Sequence, residues 1–333
     1  MSAINSKTVL IDNLVTTTWY NIRKQLVDCI HQITPFFDML NSSGKLKSKV
    51  PDGMHWEVPI RYEKDDQNVG YFTRGSLAGT AEKETMTNFL FYRRNVWNAI
   101  VRYFDDDMKN RGAAKILDYA NEKVDGAKEA LRQLFEADCI NQSTDANSID
   151  ALETLVATDP TSGTLGGLTR SGNSFTQNQY KDCTGLTTGT SMVDEMERMY
   201  NLCSVYKSGM KKSPDFIWTS RKLYQDYKRI ARAMGIIDIT SAKQRVDLGF
   251  GDLSFNGAEM YWSPQIDDDK LYMLNTENIQ FVYDPAAWFE MTEWKPLQGN
   301  SLDRTAQIVC VCNLMIDCAP KHGVMFSWTP TTT

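Results

Sequence analysis

The residues best suited to chemistry in this chain are a cysteine group near the C-terminus and two aspartate triplets. Cys310-Val311-Cys312, followed by Cys318 and His322, offers four zinc-type ligands. A spacing of two puts both thiols on one face of a strand. Zinc knuckles instead place two to four residues between paired cysteines, so the reading is buried thiols acting as small hydrophobes. Asp105-Asp106-Asp107 and Asp267-Asp268-Asp269 carry oxygen ligands for a hard cation, without the alternating spacing of a calcium loop. They read as an acidic helix start and a solvated turn.

Catalytic and nucleotide motifs are missing from the sequence. The histidines are His31, His55 and His322, too scattered to form a site. No G-x-S-x-G, P-loop, H-E-x-x-H or G-x-G-x-x-G occurs. Gly249-Phe250-Gly251 precedes a hairpin rather than a helix, which argues against a phosphate cradle. Arg93-Arg94 and Lys211-Lys212 are too sparse for a nucleic-acid patch. No catalytic residue, metal or cofactor is assigned.

Composition excludes further classes. A net charge of -6 and a pI near 5.3 give no global basic field for nucleic acid or membrane. The start, Met1 to Lys7, lacks the blocks of a signal peptide, and no run of about 18 apolar residues could span a bilayer. Seven scattered cysteines, an odd number, fit reduced thiols better than a disulfide framework. At 333 residues, two or three lobes are expected.

The elements that must position these residues follow from periodicity. Residues 1 to 18 read as a polar arm, and Trp19 to Ile33 has helical spacing, stopped by Pro35. His55 to Tyr62 and Phe89 to Trp97 alternate as half-buried strands around a polar, glycine-punctuated stretch. A ribbon this long is marginal alone, so it is expected to be covered by another copy of the chain, with Trp56, Tyr62, Tyr71, Tyr92 and Trp97 at the interface. A long helix is predicted over residues 111–140, with Ile116, Leu117, Ala120, Val124, Ala127, Leu131, Leu134 and Phe135 as its stripe.

Residues 141–190 read as a long irregular stretch, functional or interfacial. Helices are predicted at Met192–Tyr206 and Arg221–Met234, around a strand at Asp215–Thr219. Short strands follow at Leu253–Phe255, Ala258–Trp262, Leu271–Leu274 and Ile279–Tyr283. Asn256-Gly257 marks a hairpin. Ala306 to Ile316 is apolar on both faces, a buried central strand. Strands and helices mix without strict alternation, which indicates α+β.

Several of these segments resemble the major capsid proteins of tailed bacteriophages, a fold shared with herpesvirus capsid floors and encapsulin shells. The likeness runs from about residue 14 to 328. It is carried by Thr17-Thr18-Trp19, Trp56 to Tyr62, Asp159 to Leu168 with Arg170 and Asn173, Pro214 to Ile217, Phe255 to Ala258, Met273 to Thr276, and His322-Gly323-Val324. The resemblance implies an N-terminal arm and short helix over 1–48 and an extended loop over 49–101. It further implies a peripheral domain over 102–185 with the 111–140 helix as its spine, an axial domain over 186–282, and a return to the peripheral domain over 283–333.

It also implies a structural, non-enzymatic role. Copies would pack as hexamers and pentamers into an icosahedral shell around double-stranded DNA, in a virion assembled in the host cytoplasm. The implied partners are the chain itself, a scaffolding protein, a portal, weakly bound DNA and a decoration protein, with no membrane. Because the arm begins almost at Met1, a separate scaffolding protein is expected to guide a procapsid that later expands. Some relatives crosslink a loop lysine, but Lys64 and Lys83 lack the matching Asn and Glu pattern, and that chemistry is not carried over. Inter-subunit contacts are expected at Trp56, Tyr62, Tyr71, Phe72, Arg74, Lys83, Tyr92 and Arg94. The rival readings are an encapsulin-type compartment and a metal-dependent enzyme.

Overall fold

The longest strand lies where the apolar run near the C-terminus requires a buried one, but it begins six residues earlier. In the computed structural model β15 spans Asn300–Ile316. The residues described are 35–42, 44–49, 53–64, 66, 68–71, 73–75, 81–109, 119–186, 189–204, 213–233 and 253–330. The predicted arm, the Trp19–Ile33 helix, residues 111–118 of the predicted spine and Phe72 lie outside them.

One edge of β15 is lined by β4 (Arg94–Arg102), paired antiparallel from Arg94↔Cys312 to Arg102↔Arg304. The other edge takes β12 (Ile279–Tyr283), β13 (Glu290–Met291) and β14 (Lys295–Leu297) in succession. β1 (Leu46–Ser48) adds in parallel outside β12. Between Cys310 and Ile316 both faces of β15 are buried, whereas its first residues, Asn300 to Leu302, are exposed. A spine helix, Tyr119–Ile140, packs on this sheet through Ala127, Leu131, Phe135 and Cys139, one residue per turn. Leu134, expected in that stripe, instead faces solvent. The Phe135 ring stacks on Trp288 at 5.8 Å, and Phe37 meets Phe281 edge-on at 5.7 Å. These contacts clamp the short helix Pro35–Ser42 and the spine onto one core.

The second sheet orders as β7 (Gln179–Asp182), β16 (Gly323–Phe326), β11 (Leu271–Leu274), β8 (Phe216–Thr219), β10 (Ala258–Trp262) and β9 (Leu253–Phe255). It is mixed, with β7 parallel to β16 and β8 parallel to β10. The sheet thus reaches beyond residues 186–282 at both ends, while β12, almost wholly within those limits, belongs to the other sheet and pairs with β15. Asn256 and Gly257 both have positive φ, 49° and 85°, as the tight β9–β10 hairpin requires. Met192, Met196, Met199 and Cys203 line the inner face of helix Thr190–Ser204, and Leu223, Tyr227 and Ile230 that of helix Arg221–Ala233. Together with Leu271, Met273 and Met325 they form a second core.

The stretch 141–190 is not structureless. It holds a helical turn, Leu152–Leu155, and the hairpin β5 (Thr164–Leu165) with β6 (Leu168–Thr169), before β7.

Candidate assembly surface

The extended ribbon pairs β2 (His55–Arg61) with β3 (Met86–Tyr92), in register from His55↔Tyr92 to Arg61↔Met86. The predicted second strand, Phe89 to Trp97, is two strands that part at Arg93. Its N–H donates to the Met54 carbonyl (3.1 Å), and the next residue already pairs with β15. Trp97 therefore belongs to the central sheet, where it is 64% exposed, and not to the ribbon.

The ribbon is also not uncovered at its root. Trp56, Val58, Ile60, Phe89 and Phe91 share one face, and Trp56, Phe89 and Phe91 are buried in the chain's own core. The Trp56 Nε1–H donates to the Lys49 carbonyl at 3.0 Å. Trp56 is thus an internal anchor and is withdrawn as an inter-subunit contact, because alternation aims it inward with Phe91.

The segment that carries much of the resemblance, Asp159 to Arg170, forms the seat beneath the ribbon. Gly166, at φ +55°, lets the β5–β6 turn approach so closely that a Cβ there would lie 2.6 Å from the Phe89 side chain. Its carbonyl accepts the Leu90 N–H at 3.0 Å. Phe175 stacks on Tyr62 at 4.7 Å and on Phe89 at 6.4 Å. Beneath the turn, buried Arg170 donates to the Thr154 and Leu155 carbonyls (2.7 and 2.9 Å) and to Asn178 Oδ1 (3.1 Å). Helix-end carbonyls thus satisfy a buried guanidinium.

Beyond the seat the ribbon is pinned by polar contacts. Lys83 bridges Glu63 and Asp66, both at 2.8 Å. Those hydrogen bonds raise the Lys83 pKa and lower that of Asp66. The Asn68 amide pairs with both backbone groups of Ala81. Past this point Val69, Tyr71 and Arg74 are exposed, Tyr71 completely. The expected contact residues thus divide. Tyr62, Lys83 and Arg94 make intramolecular contacts, the last to Asp150 at 3.0 Å; Tyr71, Arg74 and Tyr92 face outward. Sequence reasoning missed Met54, Val69 and Met86, whose side chains are 70–80% exposed along the ribbon. The signal for Met86 was its alternation with the inward-facing Thr87, Phe89 and Phe91.

The residues singled out for chemistry are spent on structure. The Cys310 Sγ accepts the Phe289 N–H at 3.4 Å, and burial pushes its thiol up to about 11. Cys312 is buried, Cys318 is half-buried, and His322 lies at the entrance to the other sheet. Asp267 binds Lys270 at 2.7 Å, Asp268 binds Lys222 at 2.9 Å, and Asp269 accepts the Ser327 N–H at 3.1 Å. Asp105 and Asp106 open the short helix Phe104–Lys109. Among the described residues no three His, Cys, Asp or Glu side chains gather where a metal could bind, and no helix is long and apolar enough to cross a membrane.

Several solved structures with this chain path come from shells. The chain is similar to the protein in the cyanophage A-1(L) capsid asymmetric unit, with a TM-score of 0.70 at 15% identity over 95% of this chain and 99% of that one. It is similar to the holo-SrpI encapsulin complex from Synechococcus elongatus PCC 7942, with a TM-score of 0.60 at 12% identity over 100% and 98%. The capsid of Myoviridae phage XM1 gives a TM-score of 0.60 at 7% identity over 98% and 99%. No family model and no curated protein matches the sequence. Two mixed layers, a spine helix and a projecting ribbon make an α+β fold that these structures share. More narrowly, it is the major capsid fold of tailed phages, which the encapsulin shares.

Proposed function

We propose that this chain is a major capsid protein whose copies assemble as hexamers and pentamers into an icosahedral shell around phage double-stranded DNA. The observation that carries this reading is a likeness running end to end, over at least 95% of this chain and 98% of the chains it matches. Exposed Tyr71 and Val69 at the end of a ribbon anchored at its root fit a surface completed by a neighbour. The role is structural rather than catalytic. A separate scaffolding protein guides a procapsid, which expands around DNA delivered through a portal, and a decoration protein is a further partner of this reading. A net charge of -6 keeps wall-to-DNA contact weak and non-specific. The particle is a virion assembled in the host cytoplasm.

An encapsulin-type compartment is the second reading, favoured by the end-to-end match to the encapsulin. Negative-stain microscopy and analytical ultracentrifugation, with and without a candidate scaffolding protein, test the shell. Closed particles or discrete pentamers and hexamers are expected, and a monomer or dimer under every condition would overturn the assignment. Packaged DNA against enzyme cargo then separates the two readings.

A further inference from the structure

Asn313 sits near the C-terminal end of β15, completely buried between Cys312 and Leu314. An apolar side chain would be the cheaper occupant, since a buried amide costs stability unless all its partners are present. Here all are present. Its Nδ2 donates to the Tyr92 carbonyl at 2.8 Å and to Asp150 Oδ2 at 2.7 Å. Its Oδ1 accepts the N–H groups of Asp150 and Leu314, each at 2.9 Å. Asp150 Oδ1 in turn accepts from the Arg94 guanidinium, which also donates to the Ala146 carbonyl at 2.9 Å.

This knot lies where the chain changes partner. The β4–β15 ladder ends at Arg94↔Cys312; one step further it would align Arg93 with Asn313. Instead Arg93 turns its N–H to Met54, and the Asn313 side chain takes the carbonyl of the last ribbon residue, Tyr92. A side chain thus replaces the ladder at the fork. Every hydrogen-bonding group of the Asn313 amide is met, while the Arg94 Nε at the outer end of the knot has no partner among the described residues.

We propose that Asn313 is a positioning residue that, together with the Gly166 seat, fixes the angle at which the ribbon leaves the central sheet, and that this angle selects one shell geometry. The second half of this statement rests on the assembly reading above. From His55 to Tyr62 the ribbon extends about 25 Å at roughly 3.3 Å per residue. A 10° error at the root therefore moves its far end by about 4 Å, enough to lose a packed contact.

The test uses the full chain, spin-labelled through unnatural amino acids at exposed Glu82 on the ribbon and exposed Glu290 on the body. The double variant Asp150→Asn/Asn313→Asp exchanges the two side chains. It retains net charge and a 150–313 hydrogen bond but removes the donor to Tyr92. Asp150→Asn alone weakens the ion pair to Arg94 and leaves that donor in place. Asn313→Ser, too short to reach Tyr92, repeats the test should the exchange not fold. The exchange loses the ion pair to Arg94 and sets a buried carboxylate against the Tyr92 carbonyl, so it is expected to melt lower than the unaltered chain. It is also expected to widen the label-to-label distance distribution at least twofold and to give particles of mixed diameter. Asp150→Asn is expected to melt lower while keeping a narrow distribution. A native-width distribution in the exchange and in Asn313→Ser would overturn the positioning role, because loss of stability alone would not separate the variants in this way. Widened distances with uniform particles would overturn the link to shell geometry. Should the unaltered chain form no particles, the assembly reading falls with that link, while the distances in the isolated subunit still decide the positioning role.

Discussion

Glu136 shows what one side chain can join. It is buried on the spine helix and accepts the Phe36 and Phe37 N–H groups (3.3 and 2.9 Å) and the Ser263 hydroxyl (3.3 Å). It thus caps the helix Pro35–Ser42 from another element and ties it to the end of β10. Glu136→Ala strands those donors in the core and is expected to cost about 3 kcal/mol in urea unfolding. His322 carries the acid sensitivity. Its Nδ1 accepts the Asn275 N–H at 3.3 Å, and burial pushes its pKa down to about 3, with Lys321 beside it adding to the fall. The unfolded histidine protonates near pH 6.5. Below that pH the unfolded chain binds the proton and the folded one does not. Stability is therefore lost as pH falls from about 6.5 to 3, by up to roughly 1.4 kcal/mol per unit, and this group contributes no slope above that window. The difference in pH dependence between the unaltered chain and His322→Gln, followed by denaturant titration at pH 7, 6, 5 and 4, should show this slope.

At the scale of elements, the seat of the ribbon depends on Gly166. A side chain there meets Phe89 at 2.6 Å and an unfavourable φ of +55°. Gly166→Ala is expected to cost at least about 2 kcal/mol and to speed exchange of the Leu90 amide, measurable by hydrogen exchange. Local pattern located some elements and misjudged others for a definable reason. The β9–β10 hairpin has its predicted limits because Asn256-Gly257 encodes the turn chemistry by itself. The run from Met86 to Arg102 alternates almost without interruption, so periodicity gives no sign that it changes partner at Arg93. That break is made by Asn313, more than two hundred residues away in sequence.

At the scale of the molecule, two cores and two sheets hold a body from which the ribbon end projects. Deleting Tyr71 to Lys83 removes the Lys83 pairs to Glu63 and Asp66, exposed contacts of small energetic weight, and leaves the root packing of Trp56, Phe89 and Phe91 untouched. The truncated chain is expected to melt cooperatively but to form no closed particles by negative stain. Closed particles from it would show that the ribbon end is not an assembly contact. The same chain path at 7–15% identity in the shells described above means that the architecture tolerates almost complete replacement of its side chains. Shell architecture resides in the layout of elements more than in any one site.

The sequence by itself determined the α+β class, most of the short strands and the absence of a recognisable catalytic motif, because alternation, helical spacing and turn residues act within a few positions. It also carried the likeness to phage capsid proteins, in segments spread along the chain. Tertiary structure alone decided that Trp56 faces inward and that the Asp159 to Arg170 segment is the seat of the ribbon. The packing role of the cysteines was already readable from their spacing, but the tertiary structure decided which lysines Asp267 and Asp268 meet. These outcomes depend on which distant segment lies opposite, and no local pattern encodes that choice.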